Sequence, residues 1–207
     1  GGHDPYSASK ACAELIISSY RNSFFSSASY PTHQKAIASA RAGNVIGGGD
    51  WAQDRIIPDI VRSLKKGEPV SVRNPSAIRP WQHVLEPLGG YLHLGCKLVE
   101  NPVLFADSWN LGPTPEDNLT VEELVELALA AWGSGSYRKS TIAGQVHEAG
   151  LLKLDINKSV NMLDWRPKYN AKKAIETTLA WYKQIETTGN GKDLIEKQIT
   201  TFMNEED

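Results

Sequence analysis

"KAIASARAGNVIGGGD" (residues 35–50) is the stretch on which the fold turns. It is small and apolar, shorter than an ordinary helix, and it runs into three successive glycines. That pattern reads as a buried strand followed by a loop. A strand without polar alternation belongs in a parallel sheet covered on both faces. The flanking segments agree. Upstream, "YSASKACAELIISSYRNSFF" (6–25) reads as a helix. Asp4 can cap its free backbone N–H groups, and Pro5 suits the first helical position. Downstream, "RIIPDIVRSLKKG" (55–67) is an amphipathic helix closed by Gly67.

The same alternation continues. "EPVSVRN" (68–74) reads as a strand, residues around 84–99 as a helix, and "DSWNLGP" (107–113) as a short strand ending in a turn. "LTVEELVELALAAWG" (119–133) is a helix with Thr120 as cap and Gly133 as stop. "LKLDINKSVNMLDWRP" (152–167) holds a strand end and a short helix. "AKKAIETTLAWYKQIE" (171–186) reads as the last long helix, with a polar, frayed tail beyond it. Strands alternating with helices predict an α/β fold with parallel sheet. No internal repeat or low-complexity segment interrupts it.

The 207 residues are enough for one domain with a real core or for part of a larger one. With 41% hydrophobic and 22% charged residues, the chain is globular in composition. A net charge of -2 gives no reason to expect nucleic acid or an anionic membrane as partner. No apolar run is long enough to span a bilayer, and no signal peptide is visible. The two cysteines, Cys12 and Cys96, supply neither a disulfide framework nor a metal cluster, which points to a reducing cytoplasm. The five histidines lack metal-ligand spacing.

The chemistry concentrates in "DPYSASK" (4–10). Tyr6 and Lys10 stand at i and i+4 and share one helix face. A Tyr hydroxyl, with a reference pKa near ~10, is a poor base at neutral pH. A neighbouring ammonium favours its phenolate. Such a pair can take or return the proton of a sugar hydroxyl during hydride transfer. Spacing alone is weak evidence, because Tyr169 and Lys173 in "YNAKK" repeat it. That second copy has no cofactor-carrying strand beside it and reads as a solvated helix face.

The order of further blocks resembles the extended short-chain dehydrogenase/reductase family, in its sugar-nucleotide epimerase/dehydratase branch. After "DPYSASKACAE" come "ARAGNVIGGGD", "RIIPDIV", "IRPWQHVLEPLGGYL", "WNLGP" and "HEAGLLKLDINKSVNMLDWRPKY". Together these cover nearly the whole chain. "GNVIGGGDWAQDRIIPD" and "VRNPSAIRPWQHVLEPLGGYL" look most like the members that act on CDP-glucose. One departure is Pro80 after Arg79, where relatives using other nucleotide sugars usually carry an acidic residue.

The resemblance implies a Rossmann-type doubly wound parallel sheet, represented by its C-terminal part, plus a smaller mixed α/β substrate-binding domain. Residues 1–47 would complete the dinucleotide-binding domain. Residues 48–207 would mainly bind the sugar nucleotide, with a segment near 84–112 returning to the Rossmann sheet. NAD is the implied cofactor, a nucleotide sugar (CDP-glucose) the implied substrate, and a homodimer the implied assembly. The implied reaction is 4,6-dehydration: oxidation at C4, loss of water across C5–C6 and hydride return to C6. An epimerase or reductase of the same family, or a non-catalytic sugar-nucleotide-binding module, remain alternatives.

By position, Tyr6 matches the catalytic Tyr and Lys10 its partner, both also touching the cofactor. Asn44 matches a residue near sugar and diphosphate, and Arg79 one that grips the diphosphate through paired hydrogen bonds. Asn110 and Glu148 match positions near the nucleotide, with Glu148 a candidate for ribose hydroxyls. Arg55 and Arg73 are weaker candidates for phosphate and base. Five have a plainer reading: Asn44 as a loop cap, Glu148 as a solvated helix-flanking charge, and Arg79, Arg55 and Arg73 as surface charges. "GGGD" (47–50) lacks a phosphate-loop pattern and reads as a flexible entry to the substrate side. Trp51, Trp81, Trp109 and Trp165 could stack on a base, but core packing is the default expectation for each.

The strand, Gly-rich turn and helix that receive a dinucleotide's pyrophosphate are not in this sequence. In the family they lie upstream of the Tyr motif, as do the acid/base pair of the dehydratases and a substrate-holding Ser or Thr. The expectation is a C-terminal half that, by itself, exposes an apolar sheet edge, aggregates readily and does not bind NAD tightly.

Overall fold

A computed structural model describes residues 4–140 and 150–205. Helix α1 (Pro5–Ser23) starts as the sequence predicts: Asp4 is its N-cap and accepts a hydrogen bond from the Ser7 N–H at 2.9 Å. A 3-10 turn (Ser27–Ser29) and the short α2 (Tyr30–His33) lead into β1 (Ser39–Ala42) and β2 (Asn44–Ile46).

The single predicted strand is therefore two, and Gly43 divides them. The Gly43 N–H donates to the Leu111 carbonyl at 3.3 Å, and the next N–H, of Asn44, donates to the Pro80 carbonyl at 3.0 Å. The chain changes partner between adjacent residues. A Cβ at position 43 would lie 2.6 Å from the Pro80 carbonyl oxygen, so the changeover needs glycine.

Then follow α3 (Ile56–Lys66), β3 (Val70–Val72), β4 (Ile78–Arg79), β5 (Trp81–His83), α4 (Leu85–Glu100), α5 (Pro102–Phe105) and β6 (Ser108–Leu111). After a 3-10 turn (Pro115–Asp117) come β7 (Leu119–Thr120), α6 (Val121–Trp132), β8 (Tyr137–Lys139), α7 (Asn157–Met162), α8 (Ala171–Thr188) and α9 (Gly191–Asn204). Among the described residues the strands pair two by two. β1 lies parallel to β6 (Ser39 beside Ser108), β2 to β5 (Asn44 beside Trp81) and β3 to β8 (Val70 beside Tyr137). β4 is antiparallel to β7.

The core has two parts. The larger gathers Ile57, Ile60 and Val61 of α3, Val70 and Val72 of β3, Leu124 and Val125 of α6, and Ile175, Leu179 and Tyr182 of α8. The smaller holds Leu94, Phe105, Trp109, Leu111, Leu163 and Trp165 beneath β1 and β6. Helix α6 carries a capping box, with Thr120 and Glu123 exchanging hydrogen bonds, and ends at Gly133 in the left-handed region.

Three expectations need correction. The tail after residue 186 is not frayed: α9 puts Leu194 into the core, and its Phe202 packs edge-to-face on Tyr169 at 5.1 Å between centroids. Its apolar positions are spaced widely among polar ones, which hid the helix. The strand end expected near Leu152 is a single bridge, Leu151 beside Ile78.

The third concerns the glycine loop, which is fastened rather than flexible. The Tyr182 hydroxyl donates to the Asp50 carbonyl, and Arg62 donates to the carbonyls of Trp51 (3.0 Å) and Ala52 (3.1 Å). Trp51 packs edge-to-face on Tyr182 with the Lys65 ammonium 4.7 Å from its ring centroid, and it stays 47% exposed, unlike the buried Trp81, Trp109 and Trp165. These anchors come from α3 and α8, so no local pattern announces them.

Gly48 lies against the indole of Trp181, where an added Cβ would sit 2.2 Å from Cγ. Gly48→Ala must displace this buried ring. It is expected to cost about 1–3 kcal/mol, and a thermal unfolding scan should show a midpoint lowered by several degrees. An unchanged midpoint would show that the loop yields freely.

Candidate active site

Helix α1 is placed by polar contacts. Near its C-terminal end, Arg21 Nη2 lies 3.5 Å from Asp107 Oδ1, just before β6. Midway, Glu14 Oε2 accepts from Arg41 Nη2 at 2.7 Å and from Ser39 Oγ at 3.1 Å, both on β1. The helix thus runs antiparallel to β1, with its N-terminal turn toward the carboxyl end of the strands. Tyr6 precedes Glu14 by two turns, about 12 Å along the axis. The same distance along a strand is about three to four residues. Measured from Arg41, that reaches Asn44 and Val45, where Gly43 hands the chain from β6 to β5. In α/β sheets, ligands bind outside the carboxyl ends of the strands.

Tyr6 is 72% exposed, and the Lys10 Nζ lies 5.6 Å from its ring centroid. Among the described residues neither the Tyr6 hydroxyl nor the Lys10 ammonium has a hydrogen-bond or ion-pair partner. Tyr169 and Lys173 match the ring-to-ammonium distance at 5.5 Å but not the setting. Tyr169 is 3% exposed and precedes the N-cap Asn170, so its spacing to Lys173 is not a helical one. Burial, with the nearby Glu205 and Glu86 carboxylates, pushes the Tyr169 hydroxyl pKa up. The expected solvated helix face is instead part of the packing.

The other predicted residues divide into two groups. Asn44 opens β2 beside Trp81, at the level reached by Tyr6, and Arg79 lies two residues before Trp81 on β4, beside Leu119 of β7. Arg79 Nη1 donates to the Ile78 carbonyl at 2.9 Å. Asn110 is committed to the fold: its Oδ1 accepts from Arg41 at 3.1 Å and its Nδ2 donates to the Asp155 carbonyl at 2.9 Å. Arg55 and Arg73 are paired with Asp50 (3.9 Å) and Asp54 (3.1 Å). Glu148 lies outside the described residues.

Sequence reasoning missed Glu14. It stands one turn beyond Lys10 on the face that carries Tyr6, and that i, i+4, i+8 spacing was the available signal. The hydrogen bond from Arg41 holds the Glu14 carboxyl below its usual range, and the same bond raises the Arg41 guanidinium. No cluster of His, Cys, Asp or Glu among the described residues could hold a metal ion.

The architecture is Rossmann-like α/β, with a Tyr–Lys helix standing over the carboxyl ends of parallel strands. Residues 2–98 match the model of the NAD dependent epimerase/dehydratase family. Over 206 residues the chain is 44% identical to the CDP-glucose 4,6-dehydratase of Salmonella typhimurium, a match covering 98% of this chain and 56% of that protein. The fold is similar to the crystal structure of dTDP-glucose 4,6-dehydratase from Bacillus anthracis in complex with NAD (TM-score 0.69, 22% identity, 91% of this chain and 55% of that one). It is similar also to UDP-glucuronic acid 4-epimerase from Bacillus cereus (TM-score 0.71, 15% identity, 88% and 53%). The chain thus spans little more than half the length of these relatives. The resemblance and fold class read from the sequence both stand.

Proposed function

We propose that this chain carries the Tyr–Lys side of the active site of a sugar-nucleotide 4,6-dehydratase that uses NAD and acts on CDP-glucose. The observation that carries the reading is the exposed, unengaged Tyr6–Lys10 pair at the strands' carboxyl end, in a chain 44% identical to a CDP-glucose 4,6-dehydratase. A hydroxyl and an ammonium side by side suit the ribose hydroxyls of a nicotinamide nucleotide. Tyr6 and Lys10 would hold that part of NAD, which when bound supplies a hydride acceptor.

The chain's own residues then have separate tasks. Tyr6 takes the proton of the sugar 4-hydroxyl, with the Lys10 ammonium 5.6 Å from its ring centroid. Arg79 and Asn44 hold the diphosphate and sugar. Arg55 and Arg73 would contact phosphate or base only by exchanging Asp50 and Asp54 for them, and Asn110 acts through Arg41. Glu148 keeps its role at the ribose hydroxyls. Residues 1–47 serve the dinucleotide side and 48–207 mainly the sugar nucleotide; the parallel pairing of β6 with β1 supports a return of the 84–112 segment to the first. The acid/base pair for loss of water is not among these residues.

Two further parts of the reading rest on the surface. Leu15, Ile16 and Tyr20 of α1, Phe24 at its C-cap, and Leu88, Leu92 and Val99 of α4 are exposed, which supports a homodimer built on these helices. Cys12 and Cys96 are free, in keeping with a reducing cytoplasm. Among the described residues no helix is long and apolar enough to cross a membrane.

The test is product analysis. The active protein carrying this sequence, given CDP-glucose and NAD, is expected to release a 4-keto-6-deoxy sugar nucleotide. A C4 epimer would establish the epimerase reading instead. Binding without turnover would favour the non-catalytic module.

A further inference from the structure

Helix α1 buries none of its residues, although it bears the Tyr6–Lys10 pair. Within this chain, the contacts that tie the helix to the sheet are therefore polar ones, to β1 and β6, and the one nearest Tyr6 is at Glu14. Its Oε2 collects two donors from β1, Arg41 Nη2 at 2.7 Å and Ser39 Oγ at 3.1 Å. Arg41 is itself oriented: its Nη1 donates to Asn110 Oδ1 at 3.1 Å. Asn110 is fixed in turn by the Asp155 carbonyl, which accepts from its Nδ2 at 2.9 Å, and by Ser159 Oγ, which donates to the Asn110 carbonyl at 2.6 Å. The chain of bonds runs from the start of α7 through β6 and β1 to the helix face of Lys10 and Tyr6.

We propose that Glu14, held by Arg41 and through it by Asn110, is a positioning residue that sets the reach of Tyr6 and Lys10 toward the reacting hydroxyl. The proposal rests on the reading of Tyr6 and Lys10 given above. A sliding or tilt of α1 moves both reacting groups together, and a misplacement of about 1 Å can cost about 100-fold in rate. Charge-assisted hydrogen bonds resist such motion about twice as well as neutral ones, so the carboxylate matters beyond its shape.

The experiment compares Glu14→Gln, Glu14→Ala and Tyr6→Phe in the active protein carrying this sequence, with steady-state kinetics and thermal unfolding for each. Glu14→Ala is expected to lower kcat about 30- to 100-fold with KM for the nucleotide sugar within about threefold. Glu14→Gln still accepts from Arg41 and Ser39 and should recover part of the loss. A merely structural role would lower the unfolding midpoint with kcat unchanged, and that result overturns the proposal. If Glu14→Ala does not fold, Glu14→Gln decides alone: a kcat within twofold of the parent overturns it, and a larger loss at unchanged KM supports it. Turnover retained in Tyr6→Phe overturns the underlying reading as well; a dead Tyr6→Phe beside a normal Glu14→Gln removes only the positioning role.

Discussion

Tyr6→Phe is expected to bind nucleotide sugar as the parent does, to lose for NAD no more than the one hydrogen bond of its hydroxyl, and to lose turnover by about 100- to 10,000-fold, the range for removing a general acid–base group. The structure makes this a clean substitution. Tyr6 is 72% exposed, its hydroxyl has no partner among the described residues, and α1 is capped by Asp4 rather than by Tyr6. Phe keeps the ring beneath the Lys10 ammonium and removes one oxygen. Unfolding should therefore shift by no more than about 0.5 kcal/mol, as for other exposed positions. Isothermal titration with CDP-glucose and a coupled product assay measure the two halves. Tyr169→Phe is the natural control, since Tyr169 has the same spacing to a lysine but lies in the core. Near-normal turnover in Tyr6→Phe, or its loss in Tyr169→Phe alone, would refute the assignment.

The comparison of these two tyrosines shows what sequence could and could not reveal. Asp4-Pro5 before Tyr6 marks a helix start, so its i, i+4 spacing is meaningful; Asn170 marks the start of α8 after Tyr169, so the second spacing is not. Periodicity sufficed for α3, α6 and α8, whose apolar positions line one face. It failed for α9, where the stripe is sparse. It failed also for the strand at 39–46, because a change of partner at Gly43 leaves the sequence looking continuous. The polar ties were the least legible. Glu14 to Arg41 and Tyr182 to Asp50 join segments far apart in the chain, and a solvated charge reads the same as a paired one until the fold brings the partner in.

Glu86 is the strongest case of a hidden tie, and its removal is expected to have the largest effect on stability. It sits in the first turn of α4, where a carboxylate ordinarily complements the helix dipole. Here it is 1% exposed and accepts from the Lys168 N–H (3.1 Å to each oxygen) and the Tyr169 N–H (2.7 Å). It thereby fastens the approach to α8. Glu86→Leu leaves two backbone donors without this acceptor, at about 1–3 kcal/mol each, for a total of about 2–6 kcal/mol.

The pH dependence is more discriminating. Burial raises the Glu86 pKa from the ordinary 4.5 to about 7, against the pull of the two N–H groups. A carboxyl raised in the folded state contributes stability that is fully present below about 4.5 and is lost as pH rises through about 7. Nearby His83 works the other way. Burial lowers its pKa from 6.5 to about 4, so its contribution is present above about 6.5 and is lost as pH falls through about 4. Between about pH 4.5 and 6.5 the two slopes oppose, and the parent protein should show a nearly flat stability there. Glu86→Gln keeps a carbonyl for the N–H donors and cannot titrate. Only the His83 slope remains, so this variant should gain on the parent by about 3 kcal/mol between pH 4.5 and 7, at about 1.4 kcal/mol for each tenfold difference in proton affinity between the folded and unfolded chain. Urea unfolding of both proteins at half-unit pH steps measures the difference. Parallel curves would mean that Glu86 stays ionised throughout, with its N–H donors outweighing burial.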